Sequence, residues 1–285
     1  MDMRVLVTGS KGQLGSSLKN LSADYLNHSF FFYTQEELDI TDSKKLKKLL
    51  QLHEIDVVVN CAAYTQVDQA EEDSVLCYKI NREAVKNIGE VANELGVEVI
   101  HFSTDYVFDG TSYVPYMEDN EVNPQTVYGN SKWKGEQDLL SVCPQSVIIR
   151  TAWLYAESGS NFVQTILRLG KEKKQLKVVF DQIGTPTSAM DLAQFVLHIL
   201  EKGLIPGIYH YSNEGVCSWY DFAKAILSLS KIVDCEVLPI HSSEYPTKAK
   251  RPYYSVLDKT KVKQVYKIEI PHWYDSLCGM LKKSL

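Results

Sequence analysis

The sequence predicts an α/β protein: a doubly wound parallel sheet followed by a smaller α/β region. Three observations carry this. Through residues 1–150, short apolar runs alternate with helix-patterned stretches, the rhythm of a parallel sheet covered by helices on both faces. The first run leads into a glycine-spaced loop, Gly9-Ser10-Lys11-Gly12-Gln13-Leu14-Gly15, which opens a helix. After residue 150 the pattern loosens, with turns marked by Pro186, Pro206, Pro239, Pro246 and Pro252.

Arg4-Val5-Leu6-Val7-Thr8 reads as a short buried strand. Residues 12–21 read as the helix after it, with Leu14, Leu18 and Leu21 on one face. Phe30-Phe31-Phe32-Tyr33 is the second strand. Asp42 or Ser43 caps the next helix, whose Leu46, Leu49 and Leu50 face inward. Asp56-Val57-Val58-Val59-Asn60 is a third strand and Val97-Glu98-Val99-Ile100-His101-Phe102 a fourth. Between them a long helix covers residues 74–95 and stops at Gly96, a C-cap residue. Ser146-Val147-Ile148-Ile149-Arg150 is a fifth strand, and the acidic stretch 108–124 reads as a loop over a site. Later helices are expected at 161–171, 189–202 and 218–230, and strands at 176–180, 207–211 and 235–238. Residues 1–150 then form a dinucleotide-binding domain of Rossmann type, to which segments around 176–204 return. Residues 151–285 are mainly a substrate-binding region, with a cleft between the two.

Composition narrows the function. The chain has 285 residues, 45 % of them apolar and 23 % charged, which is ordinary for a globular protein. A net charge of −6 argues against a nucleic-acid partner. Cys61, Cys77, Cys143, Cys217, Cys235 and Cys278 are scattered without metal-ligand or redox spacing, and read as reduced thiols. Met1-Asp2-Met3-Arg4 runs straight into Val5-Leu6-Val7, so no signal peptide is expected. No apolar run approaches the ~20 residues of a membrane span. A cytoplasmic protein without a membrane partner is the expectation.

Glycine lets the loop turn tightly and approach a pyrophosphate, while the helix behind it offers free N–H groups and a positive dipole end. Gly9, Gly12, Gln13, Leu14 and Gly15 are therefore candidate cofactor residues. An acid at the tip of the second strand would grip the ribose hydroxyls of NAD. Tyr33-Thr34-Gln35 has none there; Glu36 and Glu37 come later, and no arginine is present for a 2′-phosphate. Lys11 supplies a charge from the loop, so the sequence leans to NADPH, with NADH still open. Asp39 and Ile40 are candidates for the adenine pocket, Asp39 reading equally as a solvated turn residue.

Tyr128 and Lys132 stand one helical turn apart, on one face of a helix. A free tyrosine has a pKa of about 10 and is a poor acid–base catalyst at pH 7. A lysine ammonium nearby is expected to favour the phenolate and lower that pKa. Gly129 and Gly135 speak against a plain structural helix, since glycine costs roughly 1 kcal/mol in a helix interior. Polar residues at the carboxyl end of a parallel strand sit where such sheets bind ligands, which singles out Ser103-Thr104-Asp105-Tyr106. Thr104 or Ser103 is placed to hydrogen-bond a substrate oxygen. Asn60-Cys61-Ala62-Ala63-Tyr64-Thr65 leaves the third strand the same way, its small residues admitting a flat cofactor.

These motifs, with Gln66-Val67-Asp68, Val107-Phe108-Asp109-Gly110, Arg150-Thr151-Ala152-Trp153-Leu154-Tyr155, Asp181-Gln182-Ile183-Gly184-Thr185-Pro186-Thr187 and Arg251-Pro252, span nearly the whole chain in order. The chain resembles the extended short-chain dehydrogenases/reductases, and within them the dTDP-4-dehydrorhamnose reductases. The resemblance implies hydride transfer from NAD(P)H to the 4-keto carbon of dTDP-4-dehydro-β-L-rhamnose, the last step of dTDP-rhamnose synthesis. It implies Tyr128 as proton donor, Lys132 tuning it and holding the nicotinamide ribose, and Thr104 at the reacting oxygen. Asp105, Tyr106 and Trp153 would line the sugar pocket. Gly12, Gln13, Leu14, Asp39, Ile40, Ala62, Ala63, Tyr64 and Thr65 would line the cofactor site. Asn161 and Arg251 are candidates for the diphosphate.

Some members of that family dimerise around Mg²⁺ held by glutamates. The matching positions here are Ser17 and Met190, and the tail is the basic Leu281-Lys282-Lys283-Ser284-Leu285. A hard cation needs oxygen ligands, so no metal is expected, and a monomer or weak homodimer follows. Two other readings stay open: another deoxysugar-nucleotide reductase or an epimerase of the same scaffold, and a non-catalytic NADP-binding regulatory subunit.

Overall fold

The computed structural model describes residues 2–283; Ser284 and Leu285 of the basic tail lie outside them. The chain opens with β1 (Met3–Thr8), α1 (Gln13–Ser22) and β2 (His28–Phe32). Next come α2 (Ser43–Leu52), β3 (Val57–Asn60) and a one-turn α3 (Val67–Ala70). Asp42 caps α2, accepting a hydrogen bond from the Lys45 amide at 2.9 Å. The long helix expected between the third and fourth strands is α4 (Ser74–Tyr78), a π-helical turn (Lys79–Glu83) and α5 (Ala84–Leu95), ended by Gly96 at φ +71°. β4 (Glu98–Thr104), a 3₁₀ turn (Asp105–Val107), α6 (Val127–Val142) and β5 (Val147–Thr151) complete the first half. Ser103 and Thr104 are thus the last residues of β4, which runs two residues beyond the strand expected at 97–102.

The second half runs β6 (Leu154–Tyr155), α7 (Phe162–Glu172), β7 (Gln175–Val179), β8 (Ile183–Gly184), β9 (Thr187–Ser188), α8 (Ala189–Lys202), β10 (Gly207–His210) and β11 (Cys217–Ser218). It ends with α9 (Trp219–Leu229), β12 (Glu236–Ile240), α10 (Thr260–Tyr266) and α11 (Trp273–Lys283).

The main sheet has six parallel strands in the order β2-β1-β3-β4-β5-β10. Alternation along each strand feeds two cores. Val5, Val7, Val57, Val59 and Ile149 pack against α1 and α8 on one face. Leu6, Val58, Val99 and Ile148 pack against α2, α5 and α6 on the other. Strand order reverses between β1 and β3, which opens a crevice at their carboxyl ends, beside Thr8 and Asn60.

The partition of the second half differs from the expected one. α8 does return to the main sheet and packs along α1, but β7 pairs with β12 in a separate two-stranded sheet under α7, α9 and α11. The strand expected in the smaller region at 207–211 instead extends the main sheet as β10, beside β5. Pro239 lies inside β12 rather than in a turn. β12 has a neighbour on one side only, so the missing N–H faces no ladder. The stretch 108–124 is tied down: Phe108 stacks on Tyr116 at 4.3 Å, Tyr116 bridges to Leu257, and Glu118 Oε1 accepts from the His210 amide at 3.0 Å. All six cysteines are free thiols. Among the described residues no helix is long and apolar enough to cross a membrane.

Candidate active site

The glycine loop closes on its own backbone. Gly9 has φ +62°, and a Cβ there would stand 2.7 Å from the Ala62 nitrogen. The Gly12 amide donates to Gly9 O at 2.9 Å. α1 then starts at Gln13 with no side-chain cap and no acid in its first turn, leaving N–H groups and the positive dipole end for an anion. Gln13 Oε1 is buried without a protein hydrogen-bond partner, while the Leu14 side chain enters the core.

The Ser10 amide donates to Tyr33 O at 3.1 Å, which sets the loop against the tip of β2. Lys11 reaches that tip and pairs with Glu36 at 3.2 Å, both exposed. A backbone hydrogen bond, the Thr34 hydroxyl and Lys11 together hold the Glu36 carboxyl down at about 2. Asp39 is exposed and closes a turn by accepting from the Thr41 amide at 2.9 Å; Ile40 is a core residue.

On the other side of the crevice, Asn60 Oδ1 accepts from the Thr8 hydroxyl at 2.7 Å and the Ala62 amide at 3.3 Å. The next residues, Ala63, Tyr64 and Thr65, run along the crevice. Asn81, wholly buried in the π-helical turn, grips both backbone groups of Tyr64: its Oδ1 accepts from Tyr64 N and its Nδ2 donates to Tyr64 O, each at 2.9 Å.

α6 brings the catalytic candidates to this crevice. Thr126 caps it, accepting from the Gly129 amide at 3.0 Å. Its glycines are contact points: a Cβ on Gly129 would stand 2.2 Å from Tyr106 O, and one on Gly135 2.1 Å from Asn81 O. Tyr128 and Lys132 are both buried. Lys132 Nζ donates to Phe102 O at 2.5 Å and lies 3.4 Å from His101 Nε2. Burial pushes its ammonium down to about 8, against the pull of Glu136 and Cys77.

The expected lowering of the Tyr128 pKa is not what the structure has. Burial pushes the phenol well above its ordinary value, reinforced by Asp105, Tyr106 and Cys77. The Thr104 hydroxyl beside it works in the opposite direction. Desolvation of a phenolate outweighs any help from Lys132, whose charge is directed at a carbonyl.

Thr104 Oγ1 donates to Asp105 Oδ1 at 2.9 Å. Burial raises Asp105 to about 6, despite the Ser255 and Thr104 hydroxyls. The Tyr106 ring meets Tyr128 edge-on at 5.6 Å, and burial pushes its phenol to about 12. Arg251 is not free. Its Nη1 donates to the Tyr106 hydroxyl at 2.9 Å, and its Nη2 pairs with Asp68 Oδ2 at 2.5 Å. Trp153 has φ +46°, and its ring stacks on Trp219 at 3.5 Å. Asn161 caps α7, accepting from the Gln164 amide at 3.0 Å, and its Nδ2 donates to Ala156 O at 2.9 Å. Beside Arg251 opens a cleft of about 640 Å³, lined by Phe162, Trp219, Val178 and Lys248 among others.

The chain is similar to known proteins over nearly its whole length. The family model described as RmlD substrate binding domain matches residues 3–285. A dTDP-4-dehydrorhamnose reductase of Aggregatibacter actinomycetemcomitans is 41 % identical, over 96 % of this chain and 97 % of its own. The chain belongs to the dTDP-4-dehydrorhamnose reductase family. A spore coat polysaccharide biosynthesis protein of Bacillus subtilis, SpsK, is 39 % identical over 98 % of this chain and 97 % of its own. The crystal structure of a family member from Bacillus anthracis in complex with NADP superposes with a TM-score of 0.95, at 36 % identity, covering 99 % of this chain and all of that one. The residues present here fit such a cofactor, since the Gly9 cradle leaves no room for a side chain and the α1 N-terminus is uncapped.

Sequence reading missed Asn81, His101, Glu136, Asp68 and Trp219. His101 had a signal, a polar side chain inside the otherwise apolar run Val99-Ile100-His101-Phe102, and the structure makes it the register partner of Asn60. Asn81 had none, since a π-helical turn leaves no mark in hydrophobic periodicity. At the two positions from which no metal was expected, the Ser17 hydroxyl donates to Gln13 O at 2.9 Å and Met190 lies in the first turn of α8.

Proposed function

We propose that the chain reduces the 4-keto group of dTDP-4-dehydro-β-L-rhamnose to give dTDP-β-L-rhamnose, with NADPH as reductant. The observation that carries this is the burial of Tyr128, Lys132 and Thr104 together at the carboxyl end of β4, beside the glycine-loop crevice. Gly9, Gly12, Gln13, Leu14 and Gly15 would hold the pyrophosphate, Asp39 and Ile40 the adenosine, and Ala62, Ala63, Tyr64, Thr65, Tyr128 and Lys132 the nicotinamide end. The cofactor, when bound, supplies the hydride.

The protein supplies the proton. Tyr128 donates it to the keto oxygen as the alkoxide develops, and its raised pKa keeps the phenol protonated until then. Thr104 turns its hydroxyl from Asp105 to the same oxygen. Lys132 below its midpoint is a cation, and favours the phenolate left behind. Asp105, Tyr106 and Trp153 receive the sugar, and the cleft of Phe162 and Trp219 receives the base. Arg251, which lines that cleft, is favoured over Asn161 for the diphosphate, because Asn161 is committed to its cap and loop.

The test uses NADPH deuterated at the transferring position, with dTDP-4-dehydro-β-L-rhamnose. The proposal expects one NADPH oxidised per keto sugar, and deuterium at C4 of the product. Absence of NADPH oxidation, or an epimer formed with the cofactor unchanged, would refute it.

A further inference from the structure

The main sheet carries a row of polar side chains through its core. Thr8 on β1, Asn60 on β3 and His101 on β4 are register partners, all but fully buried, and the row ends at Lys132 of α6. The row has a direction. The Ala62 amide can only donate, and it is shared between Asn60 Oδ1 and Thr8 Oγ1, at 3.3 Å from each, while the Thr8 hydroxyl donates to the same Oδ1 at 2.7 Å. With Oδ1 accepting from both donors, the Asn60 NH₂ is turned toward His101 Nδ1, 3.1 Å away. Nδ1 must then accept. A neutral imidazole carries one proton, so it sits on Nε2, the nitrogen 3.4 Å from Lys132 Nζ.

We propose that His101 is a positioning residue, locked by Asn60 in the Nε2–H tautomer, that aims its N–H at Lys132 and so sets the pH at which Lys132 loses its charge. An N–H facing an ammonium disfavours it, and the same N–H stabilises a neutral amine by donating to its lone pair. Both effects lower the lysine midpoint. The groups that face Lys132 divide by sign: Phe102 O, Glu136 and Cys77 favour the cation, and Glu136 is already paired with Arg150 at 2.7 Å. His101 stands against it from β4. Burial holds the imidazole neutral, with Lys132 adding to that, and the lysine itself sits at about 8.

The consequence for the reaction rests on the reading of Lys132 as the cation behind Tyr128. His101 then sets the alkaline limit of turnover without touching substrate. Two measurements need no turnover, so failure of this inference is distinguishable from failure of the reductase reading.

The first is the ¹⁵N spectrum of the wild-type chain labelled in its seven histidines, with His101 assigned by its loss in His101→Gln. A neutral ring protonated at Nε2 from pH 6 to 9 is expected; a ring protonated at Nδ1, or charged at pH 6, overturns the proposal. The second is the Lys132 midpoint, from lysine ¹³Cε shifts assigned with Lys132→Met. In His101→Phe it should rise by about one pH unit or more, as expected when an opposing dipole is removed from a buried ion. His101→Gln should stay near wild type, because Asn60 holds the glutamine oxygen and leaves its NH₂ on Lys132. An unchanged midpoint in His101→Phe overturns the proposal. If that variant does not fold, the wild-type tautomer decides alone.

Discussion

As the proposed proton donor, Tyr128 has to keep its proton until a keto oxygen lies beside it, and burial favours the protonated phenol. Its titration therefore does not limit reduction near neutral pH. Lys132 does: its folded midpoint is lowered to about 8, so it is a cation below that pH and neutral above it. The reductive kcat should hold through neutral pH and fall as pH rises through about 8. A pH profile still flat at about pH 10, the ordinary lysine range, would contradict this. Lys11 makes a second residue-scale prediction. Its exposed ammonium stands at the tip of β2, where a 2′-phosphate would lie. Lys11→Ala should raise KM for NADPH by roughly tenfold, the weight of one charge-assisted contact, and barely change KM for NADH; steady-state kinetics with both cofactors checks it. The Tyr128–Lys132 pair was legible from its spacing. The direction of the tyrosine shift was not, because desolvation comes from residues distant in sequence.

α6 is positioned by three contacts at the scale of elements. Gly129 lies against the 3₁₀ turn, Gly135 against the π-helical turn, and Glu136 holds Arg150 of β5 with hydrogen bonds of 2.7 and 2.9 Å, both side chains buried. Breaking one side of such a pair strands a buried charge. Glu136→Gln should cost about 3–5 kcal/mol of unfolding free energy, measured by urea denaturation. A loss below about 1 kcal/mol would mean the pair is not what pins the helix. The strands and long helices were readable because each carries several turns of period, from Val57-Val58-Val59 to the Leu46–Leu50 face. The two-residue strands β6, β8, β9 and β11 carry no period at all. The site's second half hangs on these: Trp153 precedes β6, and Gly184 of β8 lies under its ring.

The whole molecule should weaken in acid. His101 and His210 are held neutral by burial, His210 at about 3, whereas both take up a proton near pH 6.5 when unfolded. Below that pH the unfolded chain binds more protons, so stability falls by roughly 1.4 kcal/mol per pH unit for each imidazole. Asp105, raised to about 6, opposes one of them between about pH 6 and pH 4, leaving a net loss on acidification. A urea midpoint at pH 5 equal to or above that at pH 7 would contradict this. Chelation should matter little, as Ser17 and Met190 offer no carboxylate: EDTA is expected to leave turnover and sedimentation unchanged. Fold class and the first five strands of the main sheet were legible across the molecule; their order in the sheet was not read. Membership of β10 in the main sheet was not, since a short strand after residue 200 gives no sign of which sheet edge it meets. The central claim is that Tyr128 donates the proton, and the direct test is NADPH oxidation by wild type and Tyr128→Phe with dTDP-4-dehydro-β-L-rhamnose, NADPH affinity being measured alongside. A loss in kcat on the order of 10²–10⁴-fold with affinity little changed is the predicted result; near-full kcat in Tyr128→Phe would contradict the account.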